Sequence, residues 1–354
     1  MQSSGILDAV REAGFQVLGM EETLYSTNFY VMPVDTKQKF LSLFDKMKGI
    51  GFLPVLRRRG DDVVLSVVRS GTQGQSRGSS FWVLGSLLLT AVTIGLDFVL
   101  GFPLTREIEL AAGVETSFFT SLVTYVIGFL LVLGVHELGH KLTSMNYGIQ
   151  TNGPYFIPGI PGFMPTFGAV IFQKSIPKNR DELVNIGISG PLLGFATAVA
   201  LGAVAIITGV QVPIDKAIQI SEQTGVPIRE MQPALQMLAM VLRREDGALF
   251  MGALATPVWL GFALTFINLF PAGQLDGGHA ARGALGQQGH KLLTVASIIG
   301  LIVSGFWLMA LFAALTWGFR DHPGPLDDVS GLSLSTKVKL GVTLLVFILC
   351  FSVF

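Results

Sequence analysis

Three scarcities bound this 354-residue chain: one cysteine, five histidines and only 14% charged side chains. The lone Cys350 excludes a disulfide framework and a cysteine-bound zinc site. Soluble domains carry about a quarter charged residues, so a chain that is half hydrophobic and 14% charged is expected to lie mostly in lipid. Lys plus Arg equal Asp plus Glu at 24 each, and no basic motif is present, so nucleic acid is not an expected partner. Residues 1–78 are mixed and polar, without the apolar core of a signal peptide, which predicts a small water-soluble unit at the start.

Residues 1–70 predict an α+β unit. Strands are expected over 24–32, 52–57 and 62–69, with a helix over 36–48 carrying Phe40, Leu41, Leu43, Phe44 and Met47 on its spacing. Residues 71–80, rich in Gly, Ser and Gln, predict a flexible linker. Arg57, Arg58 and Arg59 are expected to form a solvated face. From 81 to 354 the chain reads as a multi-pass α-helical membrane domain. Six bilayer-length spans are expected, over 81–102, 118–143, 183–208, 248–270, 292–319 and 338–354. Six spans put both termini on one side, and ten of the 24 Lys and Arg precede the first. The positive-inside rule then predicts a cytoplasmic N-terminus; the membrane itself is expected to be a prokaryotic plasma membrane.

The polar exceptions carry the chemistry. Residues 152–172 are apolar yet hold Gly153, Pro154, Pro158, Gly159, Pro161, Gly162, Pro165 and Gly168, so they cannot form a helix. Non-helical backbone at membrane depth survives when it is buried in protein or lines a cavity, which predicts a re-entrant β-hairpin with residues 166–173 extended. An interfacial helix is expected near 231–242.

At the end of the second span stands His136-Glu137-Leu138-Gly139-His140. On a helix the two histidines lie one turn apart on one face, close enough to share a metal ion, and Glu137 beside them is free to act as a base. Burying such groups in a bilayer costs about 2.5–3.5 kcal/mol each, which marks them as functional. Zinc suits two nitrogen ligands plus one oxygen ligand, with a fourth position open to water. The fourth span ends in Asn268-Leu269-Phe270-Pro271-Ala272-Gly273-Gln274-Leu275-Asp276-Gly277. Spans two and four run in the same direction, so Asp276 is expected at the same face and depth as the two histidines, as the third ligand. Asn268 is a candidate donor to substrate. His279 is expected in the headgroup layer, with contact to the site as the alternative, His290 and His322 in loops with no partners at ligand spacing, and Asp97 at a helix end near the opposite face.

These two motifs, with the Gly187-Ile188-Ser189-Gly190-Pro191-Leu192-Leu193-Gly194 stretch, resemble the site-2 protease family of intramembrane zinc metalloproteases over about residues 80–320. The Pro165-Thr166-Phe167-Gly168-Ala169 segment and the polar N-terminal unit are most similar to its archaeal, cyanobacterial and chloroplast EGY-like branch. The resemblance implies a six-helix core and one zinc per chain, bound by His136, His140 and Asp276, with Glu137 as general base. It also implies a transmembrane protein substrate, unwound and paired with an extended edge near Thr166, Phe167, Gly168, Ala169 and Val170. Two other readings stay open: a transporter whose broken helix lines an ion path, and a zinc-binding membrane scaffold without catalysis.

Overall fold

The computed structural model describes residues 3–70, 80–244, 246–319 and 322–351. Its first elements are α1 (Ser3–Glu12), β1 (Val17–Glu22), β2 (Ser26–Val31), α2 (Thr36–Gly49), β3 (Phe52–Arg59) and β4 (Asp62–Arg69). The strands form one antiparallel sheet in the order β1-β2-β4-β3. Phe29, Val31, Leu56, Leu65 and Val67 are buried on the sheet against Phe40, Leu43, Phe44 and Met47 of α2 and Ile6 and Val10 of α1. The expected helix and three strands are present, and α1 and β1 add to them. The first expected strand begins two residues late, at Ser26, because Leu24 and Tyr25 sit exposed in the turn that precedes it. Most of the expected linker, residues 71–79, lies outside the described residues.

Two long helices come next, α3 (Ser80–Ala112) and α4 (Phe118–Asn146), then a hairpin of β5 (Thr151–Ile160) and β6 (Met164–Gln173), then α5 (Arg180–Thr208). Among the described residues, α3, α4 and α5 are the helices long and apolar enough to cross a membrane. A 29-residue helix reaches about 44 Å at 1.5 Å per residue, ample for the roughly 30 Å hydrocarbon layer. Beyond α5 come β7 (Val210–Val212), α6 (Ile214–Thr224), α7 (Pro233–Val241) and β8 (Ala248–Phe250), with β7 pairing to β8. The helix expected near 231–242 is α7.

The last four helices are α8 (Ala255–Asn268), α9 (Asp276–Val303), α10 (Trp307–Phe319) and α11 (Leu334–Leu349). The stretch expected as one span over 292–319 is divided. α9 stops at Val303, the chain turns through Gly305 at φ 82, and α10 starts at Trp307. The stretch 248–270 opens as a strand and a short 3-10 turn, so its α-helix begins only at Ala255. Composition registers apolarity but not the left-handed glycines that interrupt it. Residues 352–354 of the last expected span lie outside the described residues.

The expected hairpin is present and is moored along α3. The Ser86 hydroxyl accepts from the Phe156 N–H (3.2 Å), and the Thr93 hydroxyl donates to the Pro165 carbonyl (3.1 Å). Asp97 accepts from the Gly162 N–H (3.0 Å) at the hairpin tip and from the Tyr125 hydroxyl (2.7 Å). Asp97 is therefore a mid-helix anchor, not a helix-end residue. At the hairpin base, Lys141 donates to the Gly153 carbonyl (3.0 Å), tying β5 to the helix that carries the two motif histidines.

α5 packs against α4, α8 and α9, and its small residues allow the close approach. A Cβ on Gly139 of α4 would meet the Ser189 carbonyl oxygen at 2.6 Å, and one on Gly261 of α8 would meet the Ala198 side chain at 2.8 Å. In lipid, where helix association draws on packing rather than a hydrophobic drive, such contacts hold the bundle together.

Candidate metal centre

The C-terminal end of α4 carries His136, Glu137 and His140, all buried, while Leu138 between them is exposed on the outer face. After α8 the chain turns at Pro271 and Gly273 and re-enters a helix at Asp276, the first residue of α9. This brings two sequence-distant motifs into one cluster. His136 Nε2 and His140 Nε2 are 3.3 Å apart, and each lies 3.2 Å from Asp276 Oδ2. Among the described residues this is the cluster of three such ligands able to hold a metal ion. Tetrahedral zinc with bonds of about 2.0–2.1 Å separates its ligand atoms by roughly 3.3 Å, so the triangle has the size and donor set that zinc prefers.

The tautomer of His140 is set by its other nitrogen. Nδ1 lies 2.8 Å from the Ile186 carbonyl of α5, which can only accept, so Nδ1 carries the proton and Nε2 is left bare for a metal. The Asn268 Nδ2 lies 3.4 Å from His136 Nε2, which puts this side chain at the rim of the same triangle. α5 shapes the triangle by what it lacks. A Cβ on Gly187 would reach the Asp276 carbonyl at 2.8 Å and the His279 Cβ at 3.0 Å. One on Gly190 would fall on the His140 ring, and one on Gly194 would meet His136 Nδ1 at 3.0 Å. The Gly-Pro stretch, weak as a motif by itself, thus presents one missing side chain to each of the three ligand positions.

Sequence reasoning missed the partners of the remaining histidines. His290 is not in a loop: it is buried in α9 and donates from Nε2 to the Gly273 carbonyl (2.9 Å). The Gly273 N–H donates in turn to the Thr294 hydroxyl (3.2 Å), so α9 grips the turn that delivers Asp276. His322 does lie in the loop between α10 and α11, but it is paired there: His279 Nδ1 and His322 Nε2 are 2.7 Å apart. Their pairing is a tertiary contact over 43 residues, invisible to local patterns. Of the expected strand residues, Thr166 is buried, its hydroxyl donating to the Ile157 carbonyl (2.9 Å) and accepting from the Gly168 N–H (3.1 Å). Val170 is exposed, with Gly168 and Ala169 partly so. These residues lie on β6 with Phe167, and Thr166, Gly168, Ala169 and Val170 do not join the triangle.

A family model described as peptidase family M50 matches residues 124–312, more than half of the chain and all of the triangle. The chain belongs to peptidase family M50. Curated proteins named as zinc metalloproteases match it as well. It is 33% identical over 225 residues to the probable zinc metalloprotease EGY2, chloroplastic, of Arabidopsis thaliana, a match covering 61% of this chain and 38% of that protein. The corresponding figures for EGY1 of the same plant are 30% over 236 residues, 63% and 41%. For EGY1 of Oryza sativa subsp. japonica they are 29% over 248 residues, 66% and 41%. The M50 chain thus matches about two fifths of the length of these relatives. No solved structure matches it.

Proposed function

We propose that this M50 chain is an intramembrane zinc metalloendopeptidase that hydrolyses peptide bonds within or near transmembrane segments of membrane proteins. The observation that carries the proposal is the 3.2–3.3 Å triangle of His136, His140 and Asp276 at the end of a membrane-length helix, with Glu137 buried beside it. His136, His140 and Asp276 would hold one zinc per chain, which would supply Lewis acidity and make a water more acidic, toward a pKa of about 7. Glu137 accepts the water's proton and later delivers it to the leaving amine. Asn268 is the side-chain donor for the oxyanion that develops on the scissile carbonyl.

A scissile amide inside a transmembrane helix is shielded by its own hydrogen bonds, so the substrate unwinds before it is cut. Its freed N–H and C=O groups then require partners. β6, with Thr166, Phe167, Gly168, Ala169 and Val170, offers one: in a two-stranded sheet its outer edge has no strand partner among the described residues. α4 and α8 run in the same direction in this reading, with six spans forming the core and the triangle opening to the cytoplasmic side, where the N-terminal unit lies.

The Glu137→Gln variant tests the mechanism. It is expected to bind zinc like the parent protein and to leave a transmembrane test substrate uncut in proteoliposomes. Undiminished cleavage by this variant, or a parent protein purified without zinc, sinks the proposal.

A further inference from the structure

Residues 322–330, between α10 and α11, form a strap bonded to three parts of the molecule at once. On one side it extends the N-terminal sheet: the Leu56 N–H donates to the Leu326 carbonyl (2.9 Å) and the Asp328 N–H to the Leu56 carbonyl (3.1 Å). The Leu326 side chain enters the core of the N-terminal unit, and Arg57 donates to the carbonyls of Leu326 (2.7 Å) and Pro323 (3.3 Å). Arg57 is thus committed to the strap rather than to a solvated face. On its other side the strap meets the chain just before α5, where Leu326 N–H and Asp327 N–H donate to the carbonyls of Pro177 (2.9 Å) and Lys178 (2.8 Å).

The third attachment is to α9. Both oxygens of Asp328 accept from the Arg282 guanidinium, at 2.8 and 2.6 Å, a bidentate pair of fixed geometry. Arg282 is only 2% exposed. The Gly324 N–H donates to His322 Nδ1 (3.0 Å), so a neutral His322 carries its proton on Nε2 and donates it to His279 Nδ1. His279 and Arg282 stand three and six residues after Asp276, before the break in helical conformation at Gly286 (φ 74). The helical stub that bears the third triangle ligand is therefore a short, separately orientable piece, fastened by α5 on one side and by the strap on another.

We infer that Arg282 is a positioning residue for Asp276: with Asp328 it clamps the stub to a strap that the N-terminal sheet holds from behind, so the N-terminal unit governs how firmly the metal is retained. The inference rests on the zinc reading above. A buried ion pair adds little net stability compared with an apolar pair of similar shape, whereas outer contacts that orient metal ligands control affinity strongly.

The test is zinc release from the purified full-length protein into excess chelator, read alongside thermal unfolding. Asp328→Asn loosens the clamp at a nearly isosteric, partly exposed position. Arg57→Met removes the two side-chain bonds from the N-terminal unit to the strap carbonyls without touching α9. Each is expected to speed release about tenfold, the lower end of what outer contacts to metal ligands are worth. Lys46→Met is the control, because it breaks the Lys46–Glu12 ion pair between α2 and α1 and leaves the strap alone. Release unchanged in Asp328→Asn and Arg57→Met overturns the inference, as does equal acceleration by Lys46→Met. A parent protein that holds no zinc overturns the functional reading instead.

Discussion

His140 gives its Nδ1 proton to the carbonyl of Ile186, and Gly190, one turn further along α5, leaves the space that the His140 ring fills. One helix thus sets both the tautomer and the location of a histidine that belongs to another.

Gly190→Ala should therefore act on the metal before it acts on the fold. The new methyl falls on the His140 ring, which has to leave the Ile186 carbonyl to make room. Zinc affinity is expected to drop at least about tenfold, the usual scale for losing an orienting partner. Gly134→Ala, on α4 with open space at its Cβ, should bind zinc as the parent does. Metal content after dialysis against a weak chelator checks both, and equal zinc in the two variants would refute the steric account.

Ala169→Pro addresses the free edge of β6. Ala169 lies opposite Phe156, whose N–H turns away from β6 to reach Ser86, so the Ala169 N–H points away from β5 as well. Proline there removes an outward donor and spares the β5–β6 ladder. Cleavage of a transmembrane substrate should fall about 2- to 13-fold, as for one hydrogen bond of roughly 0.5–1.5 kcal/mol, with zinc content unchanged. Parallel loss of zinc and cleavage would point to a damaged hairpin instead.

His290→Phe should loosen the turn before Asp276. It leaves the Gly273 carbonyl without the imidazole donor, a cost of about 1–3 kcal/mol for a buried polar group. A lower unfolding temperature and weaker zinc retention are expected together. Lower stability with parent-like retention would confine His290 to the fold.

Acid should detach the strap. Burial, and then the neighbouring His279 and His290, push the His322 imidazole down to about 2 from its usual value near 6.5. The unfolded or detached segment therefore binds the proton more readily than the docked one. This contribution is complete above about pH 6.5 and is lost as pH falls below it toward the docked value. Hydrogen exchange over 322–330, corrected for intrinsic rates, should show protection falling between about pH 7 and pH 5. Flat or rising protection over that interval would contradict the assignment.

What was legible in the sequence was whatever depends on spacing along one element or on the direction of helices. His136, Glu137 and His140 share a helix end by periodicity, and co-directional helices bring Asp276 to them. The prolines and glycines of residues 152–172 forbid a helix, and a hairpin stands there. Partnerships across the fold were not legible. His279 with His322, Arg282 with Asp328 and Arg57 with Leu326 each join residues far apart in the chain through polar groups that no local pattern pairs. The division of the apolar stretch 292–319 left no trace in composition, because hydropathy is continuous across Gly305, where the backbone is not. The polar atoms of Ser86 and Thr93 gave no signal either, since hydroxyls in a membrane helix usually bond within it.

The glycine face of α5 also fixes register. Gly187, Gly190 and Gly194 recur at intervals of three and four, the spacing that keeps residues on one side of a helix. Each residue added to an α-helix rotates every later position by about 100°. A one-residue insertion between Gly187 and Gly194 would therefore swing Gly194 off the His136 ring and bring a leucine toward it, while composition and hydropathy stayed almost the same. The candidate metal site is thus encoded as a phase along α5 as much as by His136, His140 and Asp276.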